Sequence, residues 1–408
     1  MTHPSANLMP VEQALEYLLR TAVSVNDGEK VVLYDALDRI LAEHVYSNVD
    51  VPPYDNSAVD GYVVGAGSVG VGQPQELSVS QRIPAGTVPL ELQQGTAARI
   101  FTGAEVPQGG AAVVMQESCQ VDGDRVTLPP DIPEGQNVRK AGQDVRSGQM
   151  VLESGRKLQP QDLGLLASVG IGEVSCRRRL KVAVLSTGDE LIEPGEPAAP
   201  GKIFNSNRYT MVALLKRLGC DILDLGIVPD DYQATVEALS TAAGQADLIL
   251  SSGGVSVGEE DHVKAAVEHL GQLDLWRLAI KPGKPLAFGN VAGKPFLGLP
   301  GNPSAVFVTF SIIARPFIEK LQGREVQSAA KVMLPVGFSV SKAGLRQEYM
   351  RVRVVERDGG LSLEPHPNQS SGVLSSATWA EGFAVIPPGR TFEQGDLVEY
   401  LAFSGLGI

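Results

Sequence analysis

"CDILDLGIVPDDYQATVEALSTAAGQADLILSS", residues 220–252, decides how the rest of the chain reads. It opens on the apolar run "DILDLGIV", turns at Pro-Asp-Asp, takes helical spacing over 232–243 and closes on "DLILSS". Short continuous apolar runs suit strands buried on both faces, and a helix between two of them returns the chain to start a parallel neighbour. The same alternation extends outward: strand "LKVAVLS", helix over about 206–218, then helix over 260–270, strand "KPFLGLP" and helix over 303–321. The expectation is an α/β doubly wound domain with a parallel sheet.

On the N-terminal side, "PVEQALEYLLRTA" sets Val11, Leu15, Leu18 and Leu19 on one helical face. Residues 31–45 have similar spacing and are expected to form a second helix. After "VPPYDNSAVDGY" come short β-like runs ("ELSVS", "AARIF", "AAVVMQ", "RVTL") broken by Gly and Pro, down to about residue 133. Helical spacing returns over 158–170, so this β-rich piece reads as an insert in a discontinuous helical domain. Beyond about 325 the pattern is β-only, through "VMLPVGFSV", "YMRVRVVE", "GFAVIP" and "LVEYLAF", and predicts a small barrel or sandwich.

A length of 408 residues implies several domains. Forty-seven acids against 34 bases give a net charge of −13, which disfavours nonspecific binding to nucleic acid or an anionic membrane. With no signal-peptide tract and no apolar run near bilayer length, a cytoplasmic protein is expected, with neither nucleic acid nor membrane as partner. Cys119, Cys176 and Cys220 form no ligand cluster, and His3, His44, His262, His269 and His366 are scattered. A disulfide framework, a zinc cluster and a His-based triad are therefore not expected.

In an open α/β sheet the ligand crevice lies beyond the carboxyl ends of the strands. Four loops fall there: "STGDEL" from Ser186, "GKIFNSN" ending in Ser206 and Asn207, "SSGGVSVG" over 251–258, and "GLPGNPS" with Pro300, an N-cap Asn302 and Pro303 at N1. Loops leading into helix N-termini offer unpaired N–H groups to anions, although each alone could be a plain connector. Neither the Walker pattern nor G-x-G-x-x-G occurs in the third loop. Lys281 and Lys284, flanking Pro282 and Gly283 in "AIKPGKPLAFG", supply positive charge. Glu190, Asp230 or Asp231, and Asp261 fall on the same rim. Any one of them fits a helix-terminus acid, with Asp231 a possible cap. Together, beside anion-type loops, they call for a hard divalent cation between carboxylate and anion, with Mg2+ the natural choice.

Six motifs now stand in order: "PPYDNSAVDGY", "FTGAEVP", "STGDEL" with "GKIFNSN", "SSGGVSVGEEDHVK", "IKPGKPLAFG" and "LPGNPSA". Together they resemble the MoeA-type molybdopterin molybdenumtransferases, a family also similar to the E domain of gephyrin, over essentially the whole chain. The resemblance implies a discontinuous N-terminal domain (1–47 and 145–178), a β-rich insert (48–144), an α/β molybdopterin-binding domain (179–326) and a C-terminal β-barrel (327–408). It implies a head-to-tail homodimer whose cleft joins the α/β domain of one subunit to the insert of the other. The implied reaction inserts molybdenum from molybdate into adenylylated molybdopterin, releasing AMP and molybdenum cofactor, with Mg2+ or Zn2+ in support. Transient contact with the molybdopterin adenylyltransferase and with cofactor-accepting proteins is implied as well.

By the same resemblance, Asp60, Thr102, Glu190, Asp230, Asp261, Lys281 and Lys284 are the catalytic set, with Glu190, Asp230 and Asp261 at the metal. Ligand binding falls to Arg139, Asp144, Ser186, Thr187, Gly188, Ser206, Asn207, Gly253, Gly254, Ser256, Gly258, Pro300, Asn302, Arg351 and Ser371. His262 in "SSGGVSVGEEDHVK", the Asn-Pro-Ser-Ala order and "NQSSG" depart from the family pattern, and the last leaves Ser370 and Ser371 as alternatives. The rival readings are the adenylyltransferase of the preceding step, which shares the α/β domain, and a pterin-binding scaffold.

Overall fold

The computed structural model describes residues 8–254, 262–324, 331–357 and 359–408, without the side chain of Leu275. It divides into two compact units: the chain up to Glu29 with Arg177–Ile408, and Lys30–Cys176.

The first unit is built on a sheet of six strands. In chain order its elements are helix α1 (Val11–Thr21), β1 (Lys181–Thr187), α2 (Ser206–Arg217), β2 (Asp221–Val228), α3 (Tyr232–Gln245), β3 (Leu248–Ser252), α4 (His262–Leu270), β4 (Gly271–Arg277), β5 (Pro285–Val291), β6 (Lys294–Leu299) and α5 (Pro303–Thr309). The strand order is β2-β1-β3-β6-β5-β4. The first four strands are parallel, as the apolar runs predict. β1 lies between β2 and β3, and every residue of it after Lys181 is buried.

Alternate side chains feed two cores. Val182 and Val184 pack with Met211 and Leu215 of α2 and with Val11, Ala14 and Leu18 of α1. Ala183 and Leu185 pack on the other face with Leu239 of α3 and Val263 and Ala266 of α4. Covering both faces is what permits a parallel sheet.

β4 and β5 depart from the parallel expectation, because β5 runs antiparallel to both β6 and β4. The reason is local. Ala292 (φ 49°) and Gly293 (φ 81°) both take left-handed backbone, the geometry of a tight hairpin turn whose twist matches its strands, so β5 and β6 pair without a crossover. The helix expected over 303–321 forms, with its middle, Phe310–Ala314, wound as a wider π turn before Arg315–Leu321.

The C-terminal part of this unit is a sheet centred on the long strand β7 (Gln347–Arg357), flanked by Gly360–Pro365 and Gly382–Ile386 and continued by Leu397–Ala402 and Val332–Pro335. Val336 bridges Leu363 and so brings the far edge back against the near one, which curls the sheet around a core of Val352, Leu363, Ala384 and Val398. Ile280–Lys281 also pairs in parallel with β7. The lysine turn therefore hangs from the C-terminal sheet, where the sequence suggests a strand of the α/β unit.

The second unit holds a six-stranded sheet in the order Gly110–Met115, Gly61–Gly65, Thr96–Ile100, Gln75–Ile83, Arg125–Leu128, Gln120–Asp122. The β-rich texture of the sequence is thus one twisted sheet with apolar residues on both faces. Beside it, Pro160–Ser168 is helical as expected, and Arg156 holds Asp162 of its first turn at 2.8 Å.

The helix expected over 31–45 does not form. Gly28–Val32 is a strand, a single 3-10 turn follows, and Asp38 takes φ +62°, which no helix interior accommodates. Val31, Ala36 and Leu41 still reach a common core, so burial rather than helical wrapping produces the spacing.

No disulfide joins the three cysteines, and Cys176 and Cys220 are buried. Burial pushes the Cys220 thiol up to about 12, so it stays protonated and inert. Among the described residues no helix is long and apolar enough to cross a membrane.

Candidate functional site

The order β2-β1-β3 means that the chain leaves β1 to one side and later returns on the other. A crevice opens outside the carboxyl ends of β1 and β3 at such a switch point. The loops that follow these two strands meet there. A Cβ on Gly253 (φ +88°) would lie 3.0 Å from the Thr187 carbonyl oxygen, and one on Gly254 (φ +63°) would lie 2.9 Å from Thr187 Oγ1. Only glycine lets the backbone after β3 approach β1 so closely while adopting a left-handed conformation. Ser186 and Ser252 are buried with their hydroxyls 3.2 Å apart, which fixes the two strand ends against each other.

Glu190 is positioned by the same economy. Gly188 has φ +138°, and a Cβ there would sit 2.5 Å from a Glu190 carboxylate oxygen, so the acid folds back over a bare backbone. Asp230 lies across the rim, its N–H donating to Asp189 Oδ1 at 3.3 Å. Asp231 accepts from the Ala234 N–H at 2.8 Å and caps α3, leaving Asp230 as the acid of that pair open to the rim. Lys202 Nζ donates to the Asp189 carbonyl and brings a cation to this edge.

The other two loops close the crevice. Asn205 caps α2 by accepting from the Arg208 N–H at 3.3 Å, with Ser206 in the first turn. Asn207 Nδ2 donates to the Gly301 carbonyl at 2.7 Å, joining "GKIFNSN" to "LPGNPS". Asn302 occupies the N-cap of α5 with Pro303 after it, as the sequence indicates, but its side chain makes no capping bond and stays exposed beside Pro300. Ser251 Oγ, Asn205 Nδ2 and Asn207 Oδ1 are buried polar atoms with no partner among the described residues. Orphans of this kind at strand ends are what a polar ligand would satisfy.

Lys281 and Lys284 are exposed on either side of the buried pair Pro282 and Gly283. Lys281 Nζ lies 2.9 Å from Glu348 on β7, a partner the sequence reading missed. Arg351, further along β7, is fully buried. Its Nε donates to Ser376 Oγ at 3.0 Å and one terminal nitrogen to the Ser370 carbonyl at 3.2 Å, while NH1 has no partner among the described residues. Burial lowers its pKa to about 10, so the cation persists at neutral pH. The Ser371 carbonyl accepts from the Ser304 N–H at 2.9 Å. Both alternatives, Ser370 and Ser371, thus serve the loop through their backbones.

In the second unit, Asp60 Oδ1 accepts from the Thr102 N–H at 2.8 Å and from its hydroxyl at 2.7 Å. Two donors on one carboxylate hold Asp60 below the usual carboxylate range. Arg139 pairs with Asn56 across a short ladder, and Asp144 is exposed, its N–H bonded to the Val51 carbonyl. The ion pair beside them is Asp55 with Lys140, at 2.7 Å. A second feature absent from the sequence reading is Phe101, with the Arg82 and Arg99 guanidiniums 4.5 and 4.6 Å from its ring centre. "QRI" and "RIF" place those residues on adjacent strands, a pairing that one-dimensional patterning does not reveal.

Asp261, Ser256 and Gly258 lie outside the described residues. Among the described residues no three His, Cys, Asp or Glu come together as a metal cluster. What the rim offers is Glu190 and Asp230, hard carboxylate oxygens without nitrogen or sulfur. That chemistry fits Mg2+ better than Zn2+.

Comparison with known proteins identifies the family. Residues 9–170 match the family described as "MoeA N-terminal region (domain I and II)", 183–320 match "Probable molybdopterin binding domain", and 334–403 match "MoeA C-terminal region (domain IV)". The chain is 44% identical to a molybdopterin molybdenumtransferase of Haemophilus influenzae, covering 94% of this chain and 95% of that protein. It is 38% identical to one from a Nostoc species, covering 90% and 87%. A crystal structure of the molybdopterin biosynthesis moeA protein of Pyrococcus horikoshii superposes with a TM-score of 0.83 at 30% identity, covering 97% of this chain and 99% of that one.

Proposed function

The chain belongs to the MoeA family of molybdopterin molybdenumtransferases, enzymes of molybdenum cofactor biosynthesis, and on that premise we propose that it transfers molybdenum from molybdate to adenylylated molybdopterin with release of AMP. The observation that carries the reading is the glycine-lined approach of Gly253 and Gly254 to Thr187 at the β1/β3 switch point, with open carboxylates on its rim.

The chemistry follows from placement. The bare glycine backbone at Gly253 and Gly254 leaves room for phosphate oxygens at the end of β3, and Lys281 and Lys284 add charge for the oxyanion. Glu190 and Asp230, with Asp261, would hold a Mg2+ ion. When bound, that ion supplies charge neutralisation at the phosphate being released. The chain's own part is positioning: Thr187, Ser206 and Asn207 orient the ligand, and the lysines stabilise charge developing on its oxygens.

Asp60, Thr102, Arg139 and Asp144 complete the site from the insert, and we propose a cytoplasmic homodimer in which they face the crevice of the other subunit. The four-part subdomain division given by the family resemblance goes with this proposal. Mixing inactive Asp60→Ala and Glu190→Ala subunits restores one competent site per dimer, and no recovery after verified subunit exchange would refute the shared cleft. For the reaction itself, AMP release is followed with and without molybdate and Mg2+, then activation of an apo-molybdoenzyme. Molybdate-coupled release supports the transferase, whereas pterin binding without release favours the scaffold reading.

A further inference from the structure

We propose that Glu348 is a built-in counter-ion for Lys281, traded for the substrate's oxyanion when it binds. The inference rests on the reading above that Lys281 meets an anionic oxygen.

Register brings the pair together. Ile280–Lys281 lies parallel to β7 with Lys281 directly opposite Glu348, and Nζ sits 2.9 and 3.0 Å from the two carboxylate oxygens. That register is held by the Gln347 N–H on the Ala279 carbonyl at 2.7 Å and by Arg346 on the Ile280 carbonyl at 3.2 Å. The turn beyond is equally fixed: Gly283 (φ +113°) presses on Thr309 of α5, where any Cβ would collide with the hydroxyl. Lys281 therefore cannot wander far, and its ammonium is the moving part.

The two ends of the pair differ. The Lys281 side chain is 47% exposed and that of Glu348 only 18%, so solvent and ligand reach the ammonium from the open side while the carboxylate backs it. Charge is also out of balance. Glu348 is the acid in contact with Lys281 and also the acid whose field reaches the buried Arg351, which has no carboxylate contact among the described residues. Lys284 adds another exposed cation one turn away, with no ion pair among the described residues. One carboxylate set among three cations leaves a surplus of positive charge that an oxyanion would neutralise. A partly exposed ion pair contributes little to stability, on the order of 1 kcal/mol or less, so exchanging it for a substrate oxyanion is affordable. The carboxylate keeps Lys281 aligned before binding and weakens its hold on the anion, which favours release of product.

The test measures molybdate binding by equilibrium dialysis at low ionic strength in four proteins: the parent, Glu348→Gln, Lys281→Met and the double variant. Glu348→Gln keeps the shape and removes the charge, and the expected result is binding about five-fold tighter. Lys281→Met weakens binding, and in that background Glu348→Gln changes nothing. Glu348→Ala serves as a second route if the glutamine variant folds poorly, with the same tightening expected. Unchanged or weaker binding in Glu348→Gln and Glu348→Ala, with Lys281→Met still impaired, overturns the counter-ion while leaving the lysine reading intact. Full binding by Lys281→Met removes both. Tightening that persists in the double variant also overturns the proposal, because the carboxylate would then be repelling the anion directly.

Discussion

The rim of the α/β sheet and the Asp60 turn of the insert both present carboxylates, and they prepare them in opposite ways. Asp60 has two donors from Thr102 on a single oxygen, and these hold it ionised and oriented before any ligand arrives. Glu190 folds over Gly188, and Asp230 is held through its N–H alone, so neither carboxylate is claimed by an ion pair among the described residues. A pre-satisfied acid is suited to precise placement, and an open one to taking up a cation. On the proposed function, the difference would give orientation to the insert and charge handling to the α/β edge.

The most severe way to break this contrast is to remove an open acid. Glu190→Ala is expected to cut molybdate-dependent AMP release at least about 100-fold, the scale of losing a group that stabilises transferring charge. Its thermal unfolding should match the parent, because Glu190 is exposed. Gly254→Ala comes next: a methyl group there meets Thr187 and Val263 at positive φ, so a loss of about 2 kcal/mol in denaturant unfolding and of most ligand binding is expected.

Thr102→Val sharpens the other side. It deletes the hydroxyl donor and keeps the N–H, and turnover is expected to fall about 10-fold with binding little changed, as for loss of one charge-assisted hydrogen bond. The sign of its pH effect is fixed. Asp60 has a folded-state pKa below the ordinary 3.8, so its contribution to stability is complete above that value and is lost as pH falls through the depressed one. In Thr102→Val the Asp60 carboxyl, followed by NMR, should titrate at higher pH than in the parent. The smallest effect belongs to Asp231→Ala, which removes the cap of α3. About 1 kcal/mol of stability should go, with AMP release retained, in contrast to Asp230→Ala.

These expectations mark how far one-dimensional reading reaches. The parallel strands of the α/β unit were legible as continuous apolar runs, and "DILDLGIV" coincides with Asp221–Val228 residue for residue although this edge strand fully buries only Val228. Residues 31–45 misled because a core can be reached at nearly helical intervals by a strand and turns, and Asp38 in a left-handed conformation leaves no trace in hydropathy. The β5–β6 hairpin was hidden for a related reason: its turn, Ala292-Gly293, lacks the Asn or Asp that usually announces one. Within the candidate site, the strand-end loops and the two lysines were proposed from position and residue type. Glu348, Arg82, Arg99 and the Asp55–Lys140 pair were not.

The sequence by itself determined the α/β alternation, the β-rich insert and C-terminal sheet, and the motifs that carry the family resemblance. Each is written locally, as periodicity, turn chemistry or a contiguous motif. Tertiary structure alone decided which groups meet: Asp60 with Thr102 across 42 residues, Asn207 with Gly301 across 94, Lys281 with Glu348 across 67. Those encounters depend on strand order and register, which hydrogen bonding and packing between distant segments set together. A residue's own neighbours in the chain carry no record of its partner.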